Sequence, residues 1–302
     1  MALKIYKKLG FYLEMKKIVG LAFFAVIVST FFMLSVAVKK YQIGGFRLSK
    51  ILKVENYNSF PKFSKDKQLK AILSGSYYYL GRGTQFYAFI SHDKEHVIKI
   101  LRSDRITTPM HKKFTASGAL ELTAKNKKRK EGFLKACRSA YNRLKKQTGL
   151  VYLHLKSTAN LPKVDLVDNF GLHRKVDLND FCFLIQKKAV LIKESFKSSK
   201  KQNNLEEAKR KVNSFFKLLT TRSNSGVSNS DPNLFQNFGF ISDQAVELDF
   251  GDYYDNPYLL ENRSTYVSEI DKHALVLRDW LLTFWPEIIP YFDEQYNLAL
   301  QK

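Results

Sequence analysis

Three short stretches carry residue types suited to phosphate chemistry. The first is Leu80-Gly81-Arg82-Gly83-Thr84-Gln85-Phe86. Its two glycines leave the backbone free to bring amide groups up to phosphate oxygens. The second is Val97-Ile98-Lys99-Ile100, a lysine inside an apolar run. An unpaired charge is costly to bury, so such a lysine calls for an anionic partner. The third is Leu248-Asp249-Phe250-Gly251, a carboxylate on a glycine-bounded turn. That arrangement suits holding a hard divalent cation against phosphates. Upstream lie Ser228-Asn229-Ser230-Asp231-Pro232-Asn233 and then Asn237. They offer a carboxylate as base and an amide as a second metal ligand. Each stretch also has a plainer reading: a hairpin turn, a strand-edge lysine, and capping or turn residues.

These residues have to be positioned by regular elements. Alternation predicts strands at Tyr77–Leu80, Gln85–Ser91 and His96–Arg102, joined by a glycine-bearing turn and by His92-Asp93-Lys94-Glu95. Residues 103–123 read as an irregular insertion. Lys125–Gln147 reads as a long helix ending at Gly149, with Phe133, Ala136, Cys137, Ala140, Tyr141 and Leu144 at three- and four-residue steps. Further strands are expected at Lys163–Phe170 and Phe181–Gln186. A polar linker follows at Lys200–Asn204, then a helix at Leu205–Thr220. A hairpin of Phe238–Ile241 and Gln244–Leu248 turns at Ser242-Asp243. From Ser268 the pattern is helical, interrupted by Pro286 and Pro290. This order describes an α+β domain with two lobes.

The most specific signal is elsewhere. Ile18–Val38 contains no charge and only Ser29, Thr30 and Ser35 as polar residues, and Lys16-Lys17 and Lys39-Lys40 close its ends. Such a run matches a hydrocarbon core of roughly 30 Å at about 1.5 Å per residue. The expected organisation is a basic segment at 1–17, a transmembrane helix at 18–38 and a juxtamembrane connector at 39–75. A domain at 76–302 then divides near residue 187. A cleaved signal sequence and a buried globular helix are the competing readings of the apolar run. Lysines and arginines flank both ends almost equally, so the positive-inside rule does not orient it.

The chain of 302 residues has 50 basic and 28 acidic side chains, a formal charge of +22. That excess favours anionic partners. Cys137 and Cys182 alone make no disulfide framework, and the six histidines have no metal-ligand spacing. No helix-turn-helix, RNP-type or zinc module is readable, so nucleic acid is not an expected partner.

Taken together and in order, the phosphate-suited stretches resemble the protein-kinase-like superfamily. Lys99 stands eighteen residues after Gly81, and Asp231 eighteen residues before Asp249 in a literal Asp-Phe-Gly. The resemblance spans about residues 75–255. It implies that Gly81 and Gly83 cover the phosphates of ATP, that Lys99 pairs the α- and β-phosphates, and that a glutamate supports Lys99. Glu131 is the preferred glutamate, with Glu121 as an alternative. It further implies that Asp231 orients or deprotonates the acceptor hydroxyl, and that Asn237 and Asp249 hold Mg²⁺.

The departures are specific. Phe86 replaces the third glycine of the loop, no His-Arg precedes Asp231, and Asn237 falls six residues after it. About fifty residues follow the Asp-Phe-Gly, which implies a shortened C-terminal lobe. Two functions are expected from this. One is a membrane-anchored, ATP–Mg²⁺-dependent phosphotransferase acting on a protein or small-molecule acceptor, its domain facing the cytoplasm where ATP is. The other is a catalytically inactive kinase-like module that binds a protein or anionic lipid at the membrane.

Overall fold

The computed structural model describes residues 2–54, 67–103 and 116–301, with side chains described from Glu14 in the first helix and from Lys128 in the third. Helix α1 runs unbroken over Ala2–Ile43. Its stretch Glu14–Ile43 is long and apolar enough to cross a membrane, and its apolar side chains from Met15 to Tyr41 are exposed. It stops at Gly44 and Gly45, both in the left-handed region at φ 61° and 75°. A side chain at Gly44 would also collide with the Tyr79 hydroxyl.

The residues after this turn are not a free connector. Ile43, Phe46, Ile51 and Leu52 are buried, and Ile51 and Lys53 form bridges to Arg102 and Phe181. Helix α2, Lys67–Ser74, adds Leu69 and Leu73 to the same core. Of the expected connector at 39–75, residues 39–43 continue α1, while Phe46, Ile51, Leu52, Leu69 and Leu73 are buried with the sheet.

Strands β1 (Ser76–Arg82), β2 (Phe86–Ser91) and β3 (His96–Leu101) follow, then helix α3 (Ala116–Arg143). Next come β4 (Leu150–His154), β5 (Val164–Val167), β6 (His173–Val176) and β7 (Phe183–Lys187). The seven strands form one mixed sheet in the order β4-β7-β3-β2-β1-β5-β6, parallel only between β1 and β5. Both faces are covered. Phe133, Leu134, Ala136, Cys137 and Ala140 of α3 pack on one face against Leu101 and Leu184. Phe46, Leu69 and Leu73 cover Ile98, Ile100 and Phe183 on the other. Burial on both faces explains why β3 reads as a nearly continuous apolar run.

The rest is mostly helical: β8 (Val190–Leu191), α4 (Ile192–Lys201), α5 (Leu205–Asn224), β9 (Val227–Asn229), α6 (Leu234–Asn237), β10 (Phe238–Ile241), β11 (Gln244–Glu247), β12 (Tyr253–Asp255), α7 (Tyr258–Glu261), α8 (Arg263–Phe284) and α9 (Ile289–Ala299). Asn204 and Asn262 cap α5 and α8 by accepting from the amides of Glu207 and Thr265, each at 3.0 Å. Phe196, Phe215, Phe216, Ile270, Leu277 and Phe292 are buried together at the centre of these helices. Lys200 and Lys201, expected in a linker, end α4, whose buried Ile192, Ser195, Phe196 and Ser199 follow a helical step. The expected insertion at 103–123 lies mostly outside the described residues, although α3 begins at Ala116, ahead of the expected Lys125.

Candidate functional site

The site is built behind the cleft before it reaches it. Arg222 of α5 is completely buried and donates to both oxygens of Glu247, at 2.8 and 2.6 Å, and to Glu269 at 2.8 Å. Tyr253 donates to Glu247 at 2.6 Å. Burial works against the Arg222 charge, but Glu247, Tyr253 and Glu269 more than offset it and hold the guanidinium charged. Paired and hydrogen-bonded in this way, the buried charges are tolerated.

This network grips Asn229. Its amide nitrogen donates to Glu247 at 2.7 Å, its backbone N–H donates to Glu269 at 3.1 Å, and its carbonyl accepts from Lys272. The remaining side-chain oxygen of Asn229 accepts from the backbone N–H of Asp231 at 3.0 Å. Asp231 Oδ1 accepts from Asn233 N–H, and Asp231 Oδ2 accepts from the Asn237 amide at 2.7 Å. The Asn237 carbonyl in turn accepts from the backbone N–H of Leu248, next to Asp249. A chain of hydrogen bonds thus runs from a buried ion pair to both turns that carry the candidate carboxylates.

Asp231, Asp249 and Gly251 line one cleft of about 410 Å³, together with Thr84, Gln85, Arg129, Phe133 and Asp252. Gly251 passes so close to Gln85 that a Cβ there would collide with the Gln85 amide, so the β1–β2 turn lies directly over the Asp249 turn. Gly83 is pinned in that turn: its N–H donates to Phe86 O at 3.0 Å, and its carbonyl accepts from Arg102 at 2.8 Å. Gly81 sits at an irregularity of the β1–β2 register.

Lys99 is half-buried on β3, and its ammonium donates to the Leu248 carbonyl at 2.8 Å. Burial lowers its pKa, and Asp249 opposes that shift. Glu131 is exposed on α3, and among the described residues Lys99 forms no ion pair with it. The side chain of Glu121 lies outside the described residues. The Asp252 carboxyl is pushed up by burial and by Asp249 and Asp231, with Arg129 opposing.

Among the described residues no three His, Cys, Asp or Glu side chains are grouped closely enough to hold a metal ion by themselves. Asp249 keeps one carboxylate oxygen beyond the one that accepts from Gly251 N–H at 3.2 Å, and Asn237 keeps its side-chain oxygen. Carboxylate and amide oxygens are donor types that Mg²⁺ takes, one or two at a time, although Asp249 lines the cleft and Asn237 is not among its lining residues.

The sequence alone did not point to Arg222, Glu247, Glu269 or Arg129, and it gave Gln85 only as part of the glycine-bearing stretch. Arg222 lies two residues past the expected helix end at Thr220, and its continuation of the apolar step through Phe215, Leu218 and Leu219 was the one available signal.

No protein-family model matches the chain, and no characterised protein matches it in sequence. Among solved structures it is distantly similar to WbdD in complex with the kinase inhibitor LY294002, at 13% identity and a TM-score of 0.34, covering 72% of this chain and 45% of that one. A second structure, described as the bifunctional kinase-methyltransferase WbdD, matches at 14% identity and a TM-score of 0.30, covering 70% of this chain and 43% of that one. The chain spans less than half the length of the structures it matches.

Proposed function

We propose that this chain is a membrane-anchored phosphotransferase with a two-lobed, kinase-like domain that uses ATP and Mg²⁺. One observation carries the reading. Asp231 and Asp249 face one cleft roofed by the glycine-bearing turn, and the Lys99 ammonium is bonded to the residue preceding Asp249. A lysine, two carboxylates, an amide and a flexible backbone turn are the groups that phosphoryl transfer draws on for positioning and charge neutralisation.

In this reading Gly81 and Gly83 let the turn close over the phosphates, and Lys99 neutralises their charge. Asp249 and Asn237 would hold Mg²⁺, which when bound neutralises charge on the phosphate oxygens. Asp231 accepts from Asn237, which fixes its carboxylate to orient or deprotonate an acceptor hydroxyl. The span Ile18–Val38 within α1 would keep the domain at a bilayer, with the domain on the ATP-containing side.

A specific observation favours a second reading. Glu131 is exposed, and Lys99 is bonded to a backbone carbonyl instead of to a carboxylate. This arrangement suits a module that binds nucleotide, a protein partner or anionic lipid without transferring phosphate. The two readings separate in an assay of γ-phosphoryl release from ATP by the full chain in lipid nanodiscs. Magnesium-dependent release that disappears in Asp249→Asn is the result expected of the enzyme. Nucleotide binding with no release supports the inactive module, and unchanged release in Asp249→Asn overturns the assignment of Asp249.

A further inference from the structure

The end of α1 is fastened to the domain on two sides. On one, Arg82 of β1 donates to the Gly44 carbonyl at 3.0 Å, and the Tyr87 hydroxyl of β2 donates to the Gly45 carbonyl at 3.2 Å. On the other, the turn between β5 and β6 is bonded to the last helical turn. Asn169 donates its backbone N–H to Gln42 O at 2.9 Å and its side-chain amide to Tyr41 O at 2.7 Å. Gln42 donates back to Asp168 at 2.6 Å. Asp168 organises that turn by accepting from the backbone N–H groups of Phe170 and Leu172.

The tip held in this way is apolar and uncovered. Phe170 is 52% exposed and Leu172 is 59% exposed. The Phe170 ring lies 5.6 Å from that of Tyr41, itself 64% exposed. His173, Arg174 and Lys175 follow on β6, all exposed, and Lys39 and Lys40 immediately precede Tyr41 on the helix.

The height of this tip follows from the helix. Tyr41 and Gln42 are three and four residues beyond Val38, the last residue of the uncharged run. At about 1.5 Å per residue that is roughly 5–6 Å along the axis. A bilayer's interfacial layer extends roughly 5–8 Å beyond each side of its hydrocarbon core. If Ile18–Val38 fills the core, Tyr41 and the tip bonded to it lie in that layer, where aromatic side chains concentrate and basic residues meet head groups.

The geometry points to a second membrane contact: the β5–β6 tip, through Phe170 and Leu172, docks into the interface of the same bilayer that α1 crosses. The inference rests on the anchor reading of α1. Docking would fix the tilt of the joined helix and domain against the bilayer and would hold the β5–β6 edge of the sheet at the lipid surface. Basic Arg174 and Lys175 would add attraction to anionic head groups.

Nitroxide labels on the full chain in nanodiscs test this. They are introduced one at a time as Phe170→Cys, Leu172→Cys, Phe31→Cys in the span, and Leu260→Cys on the exposed side of α7. The native thiols of Cys137 and Cys182 are buried, and the labelled positions are exposed, so the folded core is left intact. The inference predicts that labels at 170 and 172 collide several-fold less with a water-soluble nickel chelate than the label at 260 does, with relatively more oxygen access. Labels at 170 and 172 that match 260 while the label at 31 is protected overturn the second contact and leave the anchor standing. A label at 31 that is as accessible as the one at 260 overturns the anchor, and the second contact with it.

Discussion

Asn229 joins a buried charge network to an open cleft. It spends its amide nitrogen on Glu247 and its oxygen on Asp231, so the placement of Asp231 depends on charges with no access to solvent. Removing Arg222 leaves Glu247 and Glu269 buried without their guanidinium. Arg222→Met is expected to lower unfolding stability by about 3–5 kcal/mol, read from chemical denaturation. His273 lies beside this network, fully buried, with neither ring nitrogen bonded among the described residues and its ring 4.8 Å from that of Phe238. Burial first, then Arg222 and Lys272, push its pKa down to about 2. The folded chain therefore keeps His273 neutral, while the unfolded chain takes up a proton below its ordinary pKa near 6.5. Stability is full above that pH and falls as pH drops toward 2, by up to about 1.4 kcal/mol per pH unit for this residue. His273→Leu is expected to flatten that acid slope in denaturation curves taken between pH 6 and pH 4. A slope equal to that of the unsubstituted chain contradicts this account of His273. Asp231 and Asp249, which line one cleft, stood out as candidates because their types and spacing form a pattern along the chain. The Arg222 network was not, because its members are brought together only by folding.

At the scale of elements, local periodicity was informative wherever one face of an element is buried. The buried face of α3 is the one its spacing predicts, and the β10–β11 hairpin turns where expected, with Ser242 at φ 54°. Strands β4 and β6 were not legible. β4 follows Gly149 directly, and β6 offers three exposed residues before Val176, so neither presents an alternating pattern. The basic, glycine-broken stretch after α1 read as a connector because its few apolar residues have no period. Phe46 shows what they do. It meets Tyr87 at 5.2 Å and Phe89 at 5.6 Å, both edge-on, and closes the second face of the sheet. Phe46→Ala is expected to destabilise the domain by about 3–5 kcal/mol, the usual cost of emptying an aromatic core site. A thermal midpoint unchanged by that substitution would show that the stretch is peripheral to the fold.

For the whole molecule, the apolar helix α1, the sheet and the cleft form one connected unit. The turn roofing the cleft begins at the end of β1, and Arg82 in it is bonded to the residue following α1. The net charge of +22 suits both a phosphate ligand and an anionic lipid surface. The proposed phosphotransferase requires the cleft to bind Mg²⁺–ATP through Lys99 and Asp249. The most direct measurement is the thermal midpoint of the full chain in nanodiscs with and without Mg²⁺–ATP, alongside Lys99→Ala and Asp249→Asn. A ligand that binds only the folded state stabilises it by about 2.7 kcal/mol at a hundredfold excess over its dissociation constant. The account predicts a magnesium-dependent rise that both substitutions remove. A cooperative melt that does not move at millimolar ATP, or a rise that survives both substitutions, contradicts it.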